Sequence, residues 1–321
     1  MLAIVAERFG PPEVLRIRDW PDPTPGPGEI LVAVEAAGVN PVDAGNRADG
    51  TWAGIEPPMI LGSDLAGTVM ALGEGVQAFA PGDRVLAMVE FLGRQEGAYA
   101  QLVTLPADWA APIPDGVDVV EAAAVPLAAG TAYEAIVNRL AVRADEIVVI
   151  LGAAGGVGVF AVQLAAAAGA HVIAVASETH WDLLRSLGVT ECVDYRGRQV
   201  ADAILRHAPG GADAVLDLVG GGSLAAVLGS VRPGGRAATT VALDGDLEPA
   251  IDRNLILHGI LVRPDGARLR AIAGLMAAGR LRVVVDRTYP WEEAADAHAR
   301  VETGHGRGKV VLLVPSLRRS A

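Results

Sequence analysis

The chain has 321 residues, of which 51% are hydrophobic, 20% charged and 4% aromatic, with a net charge of −12. That length allows about two domains at ~150 residues each, and the hydrophobic content excludes an intrinsically disordered chain. The negative charge makes nucleic acid a poor partner, while the single cysteine, Cys192, excludes an internal disulfide and a cysteine-based zinc cluster.

Glu7 interrupts the apolar start Met1–Val5 before a signal-peptide core forms, so no export signal is read and a cytoplasmic location is expected. The following residues predict short strands at Ile30–Ala36, Ala66–Leu72, Arg84–Val89 and Ala98–Leu105, separated by Gly73, Pro81-Gly82 and Gly93. This punctuation predicts a barrel-like or sandwich β domain over residues 1–121. The pattern then alternates: helix Val119–Asn138, strand Ile147–Leu151, helix Val157–Ala168, strand His171–Ala176 and helix Thr179–Leu187. Strand Ala214–Leu218, helix Ser223–Val231 and strand Ala237–Val241 continue it. Such alternation over 122–263 predicts a doubly wound parallel sheet. Residues 264–321 read as helices Ala267–Ala278 and Trp291–Thr303 and a strand Lys309–Val314.

No charge falls between Ile147 and Ala170, which by length alone could cross a bilayer. Glycines 152, 155, 156, 158 and 169 break the run, so a strand, a turn and a buried helix explain it and no membrane span is expected. Ala153-Ala154-Gly155-Gly156-Val157-Gly158 follows the strand as a G-x-G-x-x-G variant with alanine first. In that pattern Gly155 lets the backbone approach a pyrophosphate and Gly158 lets the helix pack on the strand. Unpaired N–H groups and the positive end of the helix dipole then face the phosphates. An ordinary tight strand–helix turn is the plainer alternative.

At the tip of His171–Ala176, a site for NAD carries a carboxylate for the ribose hydroxyls. Here Ala176 and Ser177 occupy that tip, with Glu178 one step on. Ser177 can donate to a 2′-phosphate and His180 can add charge; alternatively Ser177 and Thr179 only cap the next helix.

The chain resembles the zinc-independent medium-chain dehydrogenases/reductases of the quinone oxidoreductase group. Ala36–Asp43 (AAGVNPVD), Leu61–Gly67 (LGSDLAG), Pro81–Val85 (PGDRV), Gly97–Ala100 (GAYA) and Ala124–Leu127 (AVPL) carry the likeness. So do Gly130–Tyr133 (GTAY), the glycine turn, Leu216–Gly221 (LDLVGG) and Gly308–Val311 (GKVV). The resemblance implies a GroES-like catalytic domain built from both ends of the chain and a central Rossmann domain, with NADPH in a cleft between them. It implies hydride transfer to a quinone or to an alkene conjugated with a carbonyl. It also implies that Asn40 and Ser63 stand where zinc-dependent relatives place metal ligands, so no metal is expected. The six histidines show no ligand spacing, and His298 and His305 are expected on a solvated helix and loop.

The family's cofactor-lining positions map onto Asn40, Thr131, Val157, Gly158, Ser177, Tyr195 and Lys309, with Val219, Ala242 and His258 near the nicotinamide-side loops; Ala154, Gly155 and Gly156 of the glycine turn join the expected cofactor contacts, and His180 replaces the lysine or arginine that relatives often carry near the 2′-phosphate. The resemblance implies Asn40 as a contact to the acceptor oxygen or nicotinamide ribose, and Thr131 as a contact to the nicotinamide. The residues themselves also allow Asn40 to cap a turn before Pro41 and Thr131 to begin a helix. Trp52, Ser63 and Phe91 are expected at the acceptor pocket, although an aromatic in a small β domain also serves as core. NADPH is expected over NADH, with Lys309 adding charge. A homodimer is expected through the strand Asn254–Val262. An enoyl-thioester reductase and a non-catalytic NADPH-binding protein are the alternative functions.

Overall fold

The computed structural model describes residues 1–197 and 199–317. The chain forms two compact units. One holds Met1–Leu127, Arg263–Ala278 and the chain from Val283 onward; the other holds Ala128–Val262 and Gly279–Arg282. Against the borders expected near 121 and 263, the second unit begins at Ala128 and also claims the short return Gly279–Arg282.

The first unit is the GroES-like domain. Its organiser is the eleven-residue strand Glu29–Val39, which pairs antiparallel with Asp64–Leu72, Leu102–Pro106 and Lys309–Leu313. Val285–Pro290, Arg84–Met88 and Ala110–Pro112 complete a seven-stranded sheet. A smaller sheet pairs Leu2–Ala6 with Leu15–Asp19 and Met59–Ile60. Trp291, Tyr99, Ile4, Ile30 and Leu65 are fully buried in its core.

The second unit is the Rossmann domain, a six-stranded all-parallel sheet. Its spatial order is Glu191–Val193, His171–Val175, Ile147–Leu151, Ala212–Asp217, Val231–Thr239 and Ile256–Gly259. Numbered along the unit that order is 3-2-1-4-5-6, so the topology switches beside Ile147–Leu151, where ligands bind in open α/β sheets. Val148, Val149 and Ile150 have no face left to water, as two-sided burial requires of a central parallel strand.

Several boundaries differ from expectation for identifiable reasons. The helix expected over Val119–Asn138 is broken: Val119–Ala123 ends before Pro126, which lacks an N–H and restricts the residue before it. A new helix runs Pro126–Tyr133 and widens into a π-helical turn, Glu134–Arg139. The strand expected from Ala98 starts at Leu102; before it, Gly97–Tyr99 bonds irregularly to Ile60–Gly62. Helix Pro41–Asp49 and strands Leu2–Ala6, Leu15–Asp19 and Val285–Pro290 lie outside the expected elements. His298 is another correction: it is fully buried, because Arg47 and Tyr99 supply both its ring nitrogens with partners. His305 lies exposed in a loop.

Candidate active site

The functional positions fall into two groups, one in each unit. In the first unit they surround the start of helix Pro41–Asp49. Pro41 suits the first helical position, where no N–H is needed. Asn40 precedes it in extended conformation, and the Asp43 carboxylate, three residues on, accepts the Asn40 backbone N–H at 2.8 Å. The same carboxylate accepts the Ser63 hydroxyl at 2.8 Å and the Tyr99 hydroxyl at 3.4 Å. Burial, reinforced by the neighbouring Asp64 charge, pushes the Asp43 pKa up to about 6 against the pull of Ser63, Asn40 and Lys309.

Asp64 is also wholly buried. Its Oδ2 accepts the Asn40 amide Nδ2 at 2.9 Å and the Lys309 ammonium at 3.1 Å. Its Oδ1 accepts the Leu127 N–H at 2.6 Å, at the start of helix Pro126–Tyr133. Gly38 makes room for it: a Cβ there would lie 2.8 Å from Asp64 Oδ2 and 2.6 Å from the Ala123 carbonyl. Lys309 also donates to Asn40 Oδ1. Both ends of the Asn40 amide are therefore engaged inside this unit, and so is the Lys309 ammonium. Neither offers a free polar contact to an acceptor or to a 2′-phosphate.

Behind Asp43 the network continues through Tyr99 and His298 to Arg47. A guanidinium only donates, so His298 Nδ1 accepts from Arg47 at 3.3 Å and Nε2–H faces the Tyr99 hydroxyl at 3.2 Å. Burial, helped by Arg47, lowers the His298 pKa to about 3, so the ring is neutral. Burial and the Asp43 and Asp64 charges raise the Tyr99 phenol. Arg47 ends on Glu302 at 2.6 Å. Sequence reading misses this network, because its members are scattered from residue 40 to residue 309. The spacing Asn40-x-x-Asp43 after an apolar strand is the available signal for the helix start.

Trp52 and Phe91 come together with ring centroids 6.5 Å apart; Trp52 is 58% exposed and Phe91 buried. Ser63 has no exposed surface, and its hydroxyl is held by Asp43.

In the second unit the expected positions line the carboxyl edge of the sheet. Gly152 turns the chain with φ +78°, and a Cβ on Gly158 would lie 2.4 Å from the Gly152 carbonyl, so glycine is needed there for helix–strand packing. Gly156 and Val157 N–H groups find no backbone acceptor among the described residues. With helix Gly158–Ala167 behind them, they fit a pyrophosphate. Ala154, between the two turns of chain, is buried.

Val175 pairs with Val193, so Ser177 and Tyr195, each two residues further on, share that edge. The Ser177 hydroxyl bonds Thr179 at 2.9 Å and makes no cap bond to the following turn. His180 ends that single turn, partly exposed. Next to Tyr195 stands Arg196, which sequence reading does not single out. Asp194 holds its guanidinium by bonds of 2.7–3.0 Å, and this pairing foremost, with the charge of nearby Glu178 also contributing, raises its pKa.

Val219 follows Asp217, whose carboxylate accepts the Val219 N–H at 3.0 Å, and Ala242 lies exposed beyond strand Val231–Thr239. His258 sits within the edge strand opposite Ala238, its pKa lowered by burial and by Arg139 and Arg236. Thr131 is buried in helix Pro126–Tyr133.

Among the described residues no three His, Cys, Asp or Glu side chains gather as a metal would require, and no helix is long and apolar enough to cross a membrane. Residues 26–115 match the alcohol dehydrogenase GroES-like domain and residues 187–312 the zinc-binding dehydrogenase model. A quinone oxidoreductase of Sus scrofa is 32% identical, with 98% of each chain covered. The mitochondrial NAD(P)H oxidoreductase RTN4IP1 of Mus musculus is 33% identical over 98% of this chain and 89% of its own. Among solved structures, an NAD-dependent alcohol dehydrogenase superposes with a TM-score of 0.92 at 33% identity, covering 98% of this chain and all of its own. A mycobacterial protein complexed with NADPH superposes with a TM-score of 0.88 at 31% identity and the same coverage. Both domain models, and full-length likeness to quinone oxidoreductases, place the chain in the medium-chain dehydrogenase/reductase family, in its quinone oxidoreductase group.

Proposed function

We propose that the protein is an NADPH-dependent reductase that transfers a hydride to a quinone or to an alkene conjugated with a carbonyl, and that it works without zinc. The observation that carries this reading is the carboxyl edge of the Rossmann sheet. There, free amides at Gly156 and Val157 adjoin a ribose tip formed by Ala176 and Ser177, with no carboxylate at the tip itself. NADPH, when bound, supplies the hydride. The helix start at Val157–Gly158 would receive its pyrophosphate, Ser177, Tyr195 and Arg196 would receive the 2′-phosphate, and Thr131 would orient the nicotinamide. Trp52 and Phe91 present an apolar wall to a flat acceptor. As carbon accepts the hydride, the displaced electron pair moves to the acceptor oxygen, and the proton comes from solvent.

Zinc independence is argued from the donors. The positions that would need thiolate or imidazole carry an amide and a hydroxyl, and the oxygens around them already hold the Lys309 cation. The exposed edge strand Ile256–Gly259, with Ile251, Ile256 and Leu261 more than half exposed, suits pairing with a second copy.

NADPH consumption should be followed with quinones, enones and enoyl thioesters, and NADP+ reduction with alcohols, before and after exhaustive chelation. Turnover of quinones or enones that survives chelation is expected. Activity confined to alcohols, or abolished until zinc is restored, refutes the proposal. Faster turnover of enoyl thioesters selects the thioester reductase instead. Light scattering at micromolar concentration tests the dimer.

A further inference from the structure

Every lysine or arginine of this chain but one is an arginine; the single lysine is Lys309, and it is 3% exposed. Three oxygens converge on its ammonium: the Asn40 amide oxygen, Asp64 Oδ2 at 3.1 Å and the Val39 carbonyl at 3.4 Å. An ammonium is a point charge with three donors, which suits three convergent acceptors. The planar fork of a guanidinium suits two parallel ones. The oxygens themselves are positioned with care for space. Gly38 has no Cβ to meet Asp64, and Gly308, at φ +76°, brings Lys309 into its strand where a Cβ would lie 2.1 Å from the Val284 carbonyl. The cage closes around Asn40, yet nothing in the proposed hydride transfer uses an ammonium there.

We propose that Asn40, Asp64 and Val39 form a cation site whose occupant is supplied by the chain itself, and that Lys309 acts as a positioning residue by holding Asp64 where it fixes the start of helix Pro126–Tyr133. Without a counter-ion, a fully buried Asp64 turns away from the cage, and its bond to the Leu127 N–H weakens. That helix carries Thr131, so the loss reaches the nicotinamide contact. This last step rests on the reductase reading; the cage does not.

Two variants test it. Lys309→Met keeps the stem and removes the charge, and Lys309→Ala empties the cage. Both should melt lower than the parent, by roughly 10 °C. Ethylammonium chloride should raise the melting midpoint of Lys309→Ala saturably, tetramethylammonium, which has no N–H, should not, and neither should affect the parent. This readout requires no turnover. At a temperature where Lys309→Met is folded, kcat should fall about tenfold while NADPH affinity, read by fluorescence, changes less than twofold. Equal rescue by both amines, or no rescue of a folded Lys309→Ala, overturns the cage. Unchanged kcat in folded Lys309→Met overturns the positioning role. If Lys309→Ala does not fold, refolding yield with and without ethylammonium decides the same question: a higher yield with the amine supports the cage, and an equal one overturns it. Failure of the parent itself to bind NADPH refutes the reductase reading and leaves the amine titration intact.

Discussion

The two halves of the machinery use polar groups in opposite ways. In the GroES-like unit Asn40, Asp43, Ser63, Asp64, Tyr99, His298 and Lys309 are buried and bonded to one another. In the Rossmann unit Ser177, Tyr195, Arg196 and the amides of Gly156 and Val157 stand at the sheet edge with donors to offer. A closed network fixes geometry, since each member left alone would carry the full cost of an unsatisfied buried group. An open edge is what a charged ligand needs, because its own oxygens complete the bonding. Closed polar bonding is concentrated in one unit and open donors in the other.

The contrast breaks most readily at Asp64. Asp64→Ala leaves the Lys309 ammonium buried without its counter-charge and should lower stability by about 3–5 kcal/mol in urea unfolding. A loss below about 1 kcal/mol would show that the network is not closed.

Next in size is a pH effect with two opposing parts. Asp43 holds its proton up to about pH 6 when folded but, on the ordinary value of 3.8, loses it earlier when unfolded. Its contribution is therefore full below the lower value and lost as pH rises through about 6. His298 runs the other way: with a folded pKa of about 3 against 6.5, its contribution is full above 6.5 and lost as pH falls towards 3. From pH 4 to 6 the two offset each other. In His298→Gln, stability should fall by about 3 kcal/mol across that window, and in Asp43→Asn it should rise, as read by denaturant midpoints at a series of pH values. Parallel slopes in the two variants would contradict the assignment.

At the open edge the expected effects are smaller. Ser177→Asp places a carboxylate at the ribose tip and should turn the NADPH-to-NADH ratio of kcat/KM by roughly tenfold to a hundredfold, equivalent to one charged hydrogen bond. An unchanged ratio would move the phosphate site elsewhere. Trp52→Ala removes one ring of a tilted aromatic pair and should raise KM for an aromatic acceptor by roughly two- to tenfold with kcat preserved.

The same division decides what is legible in the sequence. Ile147–Leu151 is read with its observed ends because a central parallel strand is an unbroken apolar run, and the glycines after it announce the turn. Ser177 follows from that alternation as the tip of the next strand. Helix Pro41–Asp49 escapes sequence reading because it buries Asp43, Asn46 and Arg47, an inversion of the pattern by which helices are recognised. His298 is expected on a solvated face for the same reason. A buried polar network has no period, and its side-chain partners lie up to 269 residues apart. Arg196 stays hidden because a lone arginine in a turn has no local signature until strand pairing brings its turn to the edge that carries Ser177.

The pairing of Val310 with Val39 has a consequence for how the molecule comes into being. The Rossmann unit is almost contiguous, so on a ribosome nearly all of it can fold while the C-terminal strand is still unmade. The GroES-like unit has to wait: Leu102–Pro106 covers Glu29–Ala33, but the second half of that edge, Ala36–Val39, keeps no partner until residues 309–313 emerge. Such non-local closure is slow, and an unpaired strand in a nascent chain is a point of aggregation. Lys309, first residue of that strand, therefore delivers its charge to Asp64 only after the other strands of the sheet have been made, and a chain stalled before it would display an incomplete sheet to the cell's quality control.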